Sequence, residues 1–371
     1  MAGEARQRLA HLLGELDARG WFSVRTTAPP DDLQVDVRGV GRLILPVSDD
    51  QARALCKIAR PARYGQGEQT LLDRRVRDTL EVPRSRVRID GRRWRRTLQP
   101  VLEALRDDLG LPSTSRLQAQ LHSFLVYARG QFFLPHQDSE KDDEMVATLV
   151  VTLPSRFTGG SLVVAHEGRR ASYRGSKAAL SFVAFYADCR HEVKPVTSGH
   201  RIVLTYNLLL RRDSDAADLP DAPPEAVHAL EALLAEHFSA PAPGWRENPR
   251  GNPPSRLVYL LDHEYTERGL GWERLKGHDV GRASTLRWAA VDADCDAVLC
   301  LAQVHETWST TPFDDRWYGR GRRSWHEDDD DDYGELAGED EYELDELIEQ
   351  TVELQCWLRE PGAARPVRIS L

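Results

Sequence analysis

The sequence is poor in cysteine and has no long apolar run. Its five cysteines (Cys56, Cys189, Cys295, Cys300 and Cys356) are scattered, odd in number and without a CxxC pair. That usage argues against a disulfide framework or a cysteine zinc site and points to a reducing, cytoplasmic setting. No stretch approaches the roughly 18 consecutive apolar residues of a membrane span, so no membrane partner is expected. The opening residues, MAGEARQRLAHLLGEL, carry charges where a signal peptide needs an apolar core, and Leu9, Leu12, Leu13 and Leu16 mark one face of a helix instead. Two catalytic signatures are also missing. HEVKP and HEYTE lack the second histidine of a zinc-protease helix, and no GxSxG nucleophile elbow occurs.

What remains is ample for a buried core. The 371 residues are 41% hydrophobic and 29% charged, which fits one large domain with additions, or two domains. The formal net charge of −10 is uneven: residues 327–349 hold fourteen acids and no Lys or Arg, and removing them leaves +4. The other cations are mostly arginine. RVRIDGRRWRR (86–96) is locally basic and reads as a solvated element face or an anion-binding surface.

Residues 4–18 have helical spacing, WFSVRTT, LQVDVRG and GRLILPV read as short strands, and 49–60 and 96–108 are helical again. From 113 to 212 many short strands follow one another with Gly, Pro or charged punctuation and no helix between them, the pattern of an antiparallel sandwich or barrel. A linker at 211–226 leads to an α+β region with helices at 224–238 and 282–291 and strands at 256–262 and 297–308. The acidic run cannot bury enough apolar surface to order itself and is expected as a mobile loop over 326–347. The expected organisation is therefore an N-terminal α/β support over 1–112, a β core over 113–212, and a C-terminal α+β region over 213–371.

The chemistry centres on FFLPHQDSEK (132–141). His136 and Asp138 are two apart, so on a strand both side chains share a face. His191 follows fifty-five residues after His136, beside another strand-like stretch. Two histidines and one carboxylate on one side of a metal leave open positions opposite, the facial triad of non-haem Fe(II) oxygenases. Arg201 lies ten residues beyond His191, past a PVTSG turn. A buried guanidinium there could hold a carboxylate bidentately, as the far end of 2-oxoglutarate requires.

The ordered set of HxD, a Gly159–Gly160 turn, a distal histidine and then an arginine resembles the 2-oxoglutarate/Fe(II) oxygenase superfamily, in its prolyl 4-hydroxylase-like branch. YARGQFFLPHQD is similar to that branch's Tyr-x-x-Gly-x-x-aromatic-x-x-His-x-Asp pattern, and HEVKPVTSGHRIVLTY to its His-x-Val-x-Pro-Val-x-x-Gly-x-Arg pattern. The similarity spans roughly residues 117–210. It implies a mainly β, α+β fold with a double-stranded β-helix (jelly-roll) core and outer helices. It implies His136, Asp138 and His191 as catalytic iron ligands, Arg201 as the 2-oxoglutarate anchor and Tyr127 as a second hydrogen bond to the same carboxylate. The cofactors implied are Fe(II), with 2-oxoglutarate and O2 as co-substrates. Where many members carry serine two residues after the arginine, Val203 stands here, and Thr205 is the substitute on the same face. Thr148 and Thr152 are further pocket candidates, and His200 points away.

His122, His166, His263 and His305 stand isolated and read as surface or core histidines. RGVGRL and YGQGEQ read as turns. The arginine-rich stretch 63–81 resembles the branch's substrate-side loop, or is an ordinary surface loop. The resemblance implies hydroxylation of a protein or peptide residue, with proline foremost, or of an amino-acid-like small molecule, with release of succinate and CO2. Two other readings stay open, a non-catalytic binding protein on this fold and a nucleic-acid demethylase. A nucleic-acid partner needs a basic, aromatic-lined face near the site, and only the 84–96 region offers basic density. The oligomeric state is not legible.

Overall fold

The computed structural model describes residues 2–16, 20–66, 69–112, 115–138, 144–212, 222–240, 252–267, 269–312, 342–358 and 367–368. They fall into two compact units, Met1–Leu299 and Cys300–Leu371.

In the first unit, α1 (Ala2–Glu15) precedes β1 (Ser23–Ala28), β2 (Val35–Val37), β3 (Gly41–Arg42) and α2 (Asp49–Ile58). Short strands β4 (Arg60–Pro61), β5 (Tyr64–Gln66), β6 (Gln69–Leu71), β7 (Arg77–Asp78), β8 (Leu80–Glu81) and β9 (Val87–Ile89) lead to α3 (Gly91–Asp108). The β core follows as β10 (Ser115–Tyr127), β11 (Phe132–His136), β12 (Met145–Thr152), β13 (Phe157–Gly159) and β14 (Leu162–His166). It continues as β15 (Arg169–Tyr173), β16 (Leu180–Tyr186), β17 (Arg190–Val193), β18 (Val196–Gly199) and β19 (Arg201–Arg212). Helices α4 (Pro224–Ser239) and α5 (Gly277–Asp292) come last.

Seven strands pair in the order β1-β16-β12-β19-β10-β8-β4, and five in the order β15-β14-β17-β11-β7, with antiparallel pairing throughout. The inner faces of the two sheets share one cavity, which makes the core a double-stranded β-helix. Strands β12 and β16 are buried along their whole length because helices cover one face and the second sheet the other. Alternation along β19 sorts the two faces: Arg201, Val203, Thr205 and Asn207 line the cavity, while Ile202, Leu204, Tyr206 and Leu208 enter the outer core.

Helix α3 forms where Asp90 caps it by accepting from the amides of Arg92 and Arg93. Its buried stripe, Trp94, Leu98, Val101, Leu102 and Leu105, recurs at helical spacing. Trp94 stacks on Phe182 and donates to the Tyr206 hydroxyl at 3.1 Å. The exposed Arg92, Arg93, Arg95 and Arg96 are thus the solvated face of a helix packed behind the seven-stranded sheet, across it from the cavity.

The apolar stretch 256–262, expected as a strand, is not one. Leu257 and Tyr259 instead pack among α1, α4 and α5 with Leu9, Leu13, Leu230 and Leu234. The second unit is a sheet of β20 (Leu299–Pro312), β21 (Tyr342–Leu358) and β22 (Val367–Arg368). The acidic run lies outside the described residues up to 341. From Tyr342 it is strand β21 rather than the loop expected over 326–347. Among the described residues no helix is long and apolar enough to cross a membrane.

Candidate active site

Strand β11 ends at His136, and antiparallel pairing sets His136 directly opposite His191 on β17. Asp138, two residues past the strand end, turns back between them. His136 Nε2 lies 3.9 Å from Asp138 Oδ1, and His191 Nε2 lies 3.8 Å from Asp138 Oδ2. The ligand atoms of all three lie within 4.8 Å of one another.

Both imidazoles are oriented by backbone carbonyls. His136 Nδ1 donates to Leu134 O at 2.8 Å, and His191 Nδ1 donates to Cys189 O at 3.1 Å. With the proton on Nδ1, each ring presents its Nε2 lone pair to the shared centre. Burial, helped by the neighbouring His191, pushes the His136 pKa down to about 3, so this ring is a neutral donor at physiological pH. For Asp138, burial works to raise the pKa. His191, His136 and the Thr148 hydrogen bond outweigh it and hold the carboxyl below its ordinary value. Thr148 donates to Asp138 Oδ2 at 2.6 Å and fixes the carboxylate's rotation.

The cavity behind this group encloses about 680 Å³ with the space of its open mouth included. Arg201 lines it and is only 2% exposed. Among the described residues no carboxylate pairs with it, and burial pushes its pKa down. An unpaired buried cation is costly unless an anion joins it. The glycine turn makes room for the arginine: Gly160 has φ +60°, and a Cβ there would lie 3.1 Å from Arg201 Cδ.

Tyr127 pairs with Arg201 across β10 and β19, and the guanidinium carbon stands 5.3 Å from the ring centre. The ring is buried, and among the described residues the Tyr127 hydroxyl has no hydrogen-bond partner. Thr205 also lines the cavity, but its hydroxyl is shared with Ser123 Oγ at 2.6 Å. Two imidazoles, one ionised carboxylate and an unpaired buried arginine in one cavity fit an Fe(II) ion and a dicarboxylate co-substrate.

Several cavity residues escape the sequence reading. His122, read as a surface or core histidine, is the extra residue of a β-bulge between Leu121 and Ser123, which turns it onto the cavity wall. Asn207 was legible by counting twos from Arg201. Phe133 stacks on His136 at 3.5 Å between ring centres. Arg77, from the 63–81 stretch, reaches the cavity from β7. Thr148 lines it, whereas Thr152 is not among the lining residues.

A second His–Asp–His group, His166, Asp188 and His263, has a different character. The two rings stack nearly parallel, 13° apart with centroids at 4.4 Å. Imidazole lone pairs lie in the ring plane, so parallel stacked rings do not aim at a common ion. The rings of His136 and His191, by contrast, are inclined by 52°. Asp188 already accepts from His263 Nδ1 at 2.9 Å and from the Glu264 amide at 3.1 Å, with the Lys276 ammonium 3.5 Å away. This group holds residues 262–279 on the core, and Gln137, between the two ligands of the HxD pair, donates to the Asp188 backbone carbonyl at 2.8 Å.

Residues 122–209 match the model of the 2OG-Fe(II) oxygenase superfamily. No curated protein matches the chain. Similar solved structures include an oxidoreductase of the 2OG-Fe(II) oxygenase family from Burkholderia pseudomallei (16% identity, 55% of this chain and 90% of that one, TM-score 0.30). A prolyl-4-hydroxylase from Pseudomonas putida is 18% identical over 56% of this chain and 100% of its own, with a TM-score of 0.30. A Trichoplax adhaerens prolyl hydroxylase, solved with a hypoxia inducible factor peptide fragment, is 15% identical over 56% and 91%, with a TM-score of 0.32. The superfamily match falls on the strands that carry His136, His191 and Arg201, so residues 122–209 are a domain of the 2OG-Fe(II) oxygenase superfamily, and that family implies Fe(II), 2-oxoglutarate and O2.

Proposed function

We propose that the protein hydroxylates a protein or peptide residue, with a prolyl residue as the leading candidate, or an amino-acid-like small molecule, releasing succinate and CO2. The observation that carries the reading is the meeting of His136, Asp138, His191 and the unpaired Arg201 on the wall of one open cavity. In this reading the three ligands hold Fe(II), Arg201 holds the far carboxylate of 2-oxoglutarate, and Tyr127 and Thr205 offer hydroxyls beside it. Fe(II) and 2-oxoglutarate, when bound, supply the oxidising chemistry by consuming dioxygen. The chain's own residues orient them and exclude water: Leu125, Val150, Leu162 and Val203 make the walls apolar around the polar centre.

A carboxylate at Asp138 favours hydroxylation over halogenation, which needs that coordination position for halide. All four groups being in place disfavours the non-catalytic reading. The exposed arginines of α3 lie across the sheet from the cavity, which disfavours a nucleic-acid substrate.

The test is succinate release by purified, Fe(II)-loaded protein against peptide and metabolite pools, with mass analysis of the product. A product one oxygen heavier, and loss of 2-oxoglutarate turnover in H136A and D138A, is expected. Undiminished turnover in both variants, or a chlorinated product in chloride buffer, overturns the reading.

A further inference from the structure

Among the described residues, Arg77 is the one arginine of the cavity wall that the iron and 2-oxoglutarate reading leaves unused. It sits on β7, at the edge of the five-stranded sheet, opposite Phe133 of β11. Its guanidinium carbon lies 4.5 Å from the Phe133 ring centre, and that ring in turn stacks on His136. The side chain is tethered by Nη1, which donates to the Arg63 carbonyl at 2.6 Å. Its Nε is buried and has no hydrogen-bond partner. Among the described residues no carboxylate pairs with it.

Charge within the cavity sharpens this. Among the described residues its lining holds two guanidiniums, Arg77 and Arg201, and one carboxylate, Asp138. An Fe(II) dication and a 2-oxoglutarate dianion cancel each other. Asp138 then balances one guanidinium, and Arg201 is the deeper of the two, taken by the co-substrate. One positive charge is left over, on the side chain that packs against the ring stacked on an iron ligand. A guanidinium on the cavity wall with a buried donor unused is a site for an anionic oxygen pair.

We propose that Arg77 binds a carboxylate of the primary substrate, so that the substrate is an acid, with its anionic group at β7 and its oxidised carbon beside the His136–His191 pair. This rests on the oxygenase reading above and narrows its substrate class. The carboxylate belongs either to a small acid or to an acidic side chain of a peptide, and both offer the same two oxygens.

The test uses the protein loaded with Fe(II) and saturating 2-oxoglutarate without oxygen. The probe is trifluoroacetate, observed by fluorine NMR, with neutral trifluoroacetamide as control. The paramagnetic iron should broaden trifluoroacetate and leave trifluoroacetamide sharp. Arg77→Gln should weaken the effect by about tenfold or more, the loss expected for a charge-assisted hydrogen bond. Arg77→Lys should keep part of it, because the charge remains without the planar fork. The acid–amide contrast in the parent protein stands even where a variant folds poorly. Displacement by N-acetylglycine supports a terminal carboxylate, and displacement by the α-amide of N-acetylglutamic acid, whose side-chain carboxyl is free, supports a side-chain carboxylate. Displacement by neither, equal broadening of acid and amide, or an effect undiminished in Arg77→Gln overturns the proposal. Failure of 2-oxoglutarate to bind in the same anaerobic sample would instead strike at the oxygenase reading.

Discussion

At the scale of single residues, Arg201 is the most informative position. Facial triads also serve oxygenases that use no 2-oxoglutarate, so the co-substrate rests on a carboxylate anchor. Removing one partner of a buried pair costs about 3–5 kcal/mol, against about 0–1 kcal/mol for an exposed pair. At 2% exposure Arg201 belongs to the first case. Arg201→Ala should therefore weaken 2-oxoglutarate binding by roughly a hundredfold or more, and Arg201→Lys should lose less. Anaerobic titration of the Fe(II) protein, followed by its metal-to-ligand absorption band, measures this; an alanine variant that titrates like the parent places the anchor elsewhere. Thr148 acts one step behind the metal. Thr148→Val keeps the shape but removes the 2.6 Å bond to Asp138. Outer hydrogen bonds of this kind are worth about 10–100-fold in metal affinity. We expect Fe(II) binding, read by anaerobic competition with a chelator, to fall within that range while the far-ultraviolet circular dichroism is unchanged.

At the scale of elements, the joint between the β core and residues 262–279 depends on Asp188. Its side chain is 5% exposed, between His263 and Lys276. Burial works to raise its pKa, but the His263 hydrogen bond, the charges of His263 and Lys276 and the Glu264 amide hold it well below the ordinary range. A carboxyl lowered by folding stabilises the protein above its unfolded pKa, about 3.9, and that contribution is lost as pH falls through the folded value. Asp188→Asn should cost about 3–5 kcal/mol near neutrality. In urea titrations the deficit should shrink as pH falls below about 4, where the unfolded carboxyl takes up its proton. A deficit undiminished in that range would mean the network is not carried by an ionised Asp188. Asp279 behaves oppositely: burial raises its pKa despite the amides of Asp262 and His263, so its ionisation opposes folding as pH rises.

At the scale of the whole molecule, the oxygenase centre lies within the first unit, and the second unit is compact by itself. The acids of 327–341 contain almost nothing apolar to bury. Deleting 327–341, which stops short of β21, should leave uncoupled 2-oxoglutarate decarboxylation within about twofold of the parent, because no apolar core is lost with it. Oxygen-electrode and succinate assays check this; a collapse of activity or of the thermal transition would assign the segment a structural part.

The sequence by itself determined the chemistry of the centre. His136 and Asp138 are near neighbours on the chain, their side chains differ from everything around them, and period-two alternation carries Arg201 to Val203, Thr205 and Asn207 on one face. Helices α2, α3 and α4 were equally legible, because apolar spacing and caps are local. Tertiary structure alone decided the rest. It set His191, already singled out by its HEVKPVTSGHR context, opposite His136 across an antiparallel pair, and it turned His122 inward through a bulge that no spacing announces. It left the apolar stretch 256–262 without a strand, since a strand exists only where a neighbouring edge supplies hydrogen bonds, and helices α1, α4 and α5 took its side chains instead. It also brought Arg77 into the cavity from outside the resembling block. Spacing along a chain fixes which side chains share a face; which faces meet is settled by the pairing of distant strands, and that depends on the burial and hydrogen bonding of the whole core.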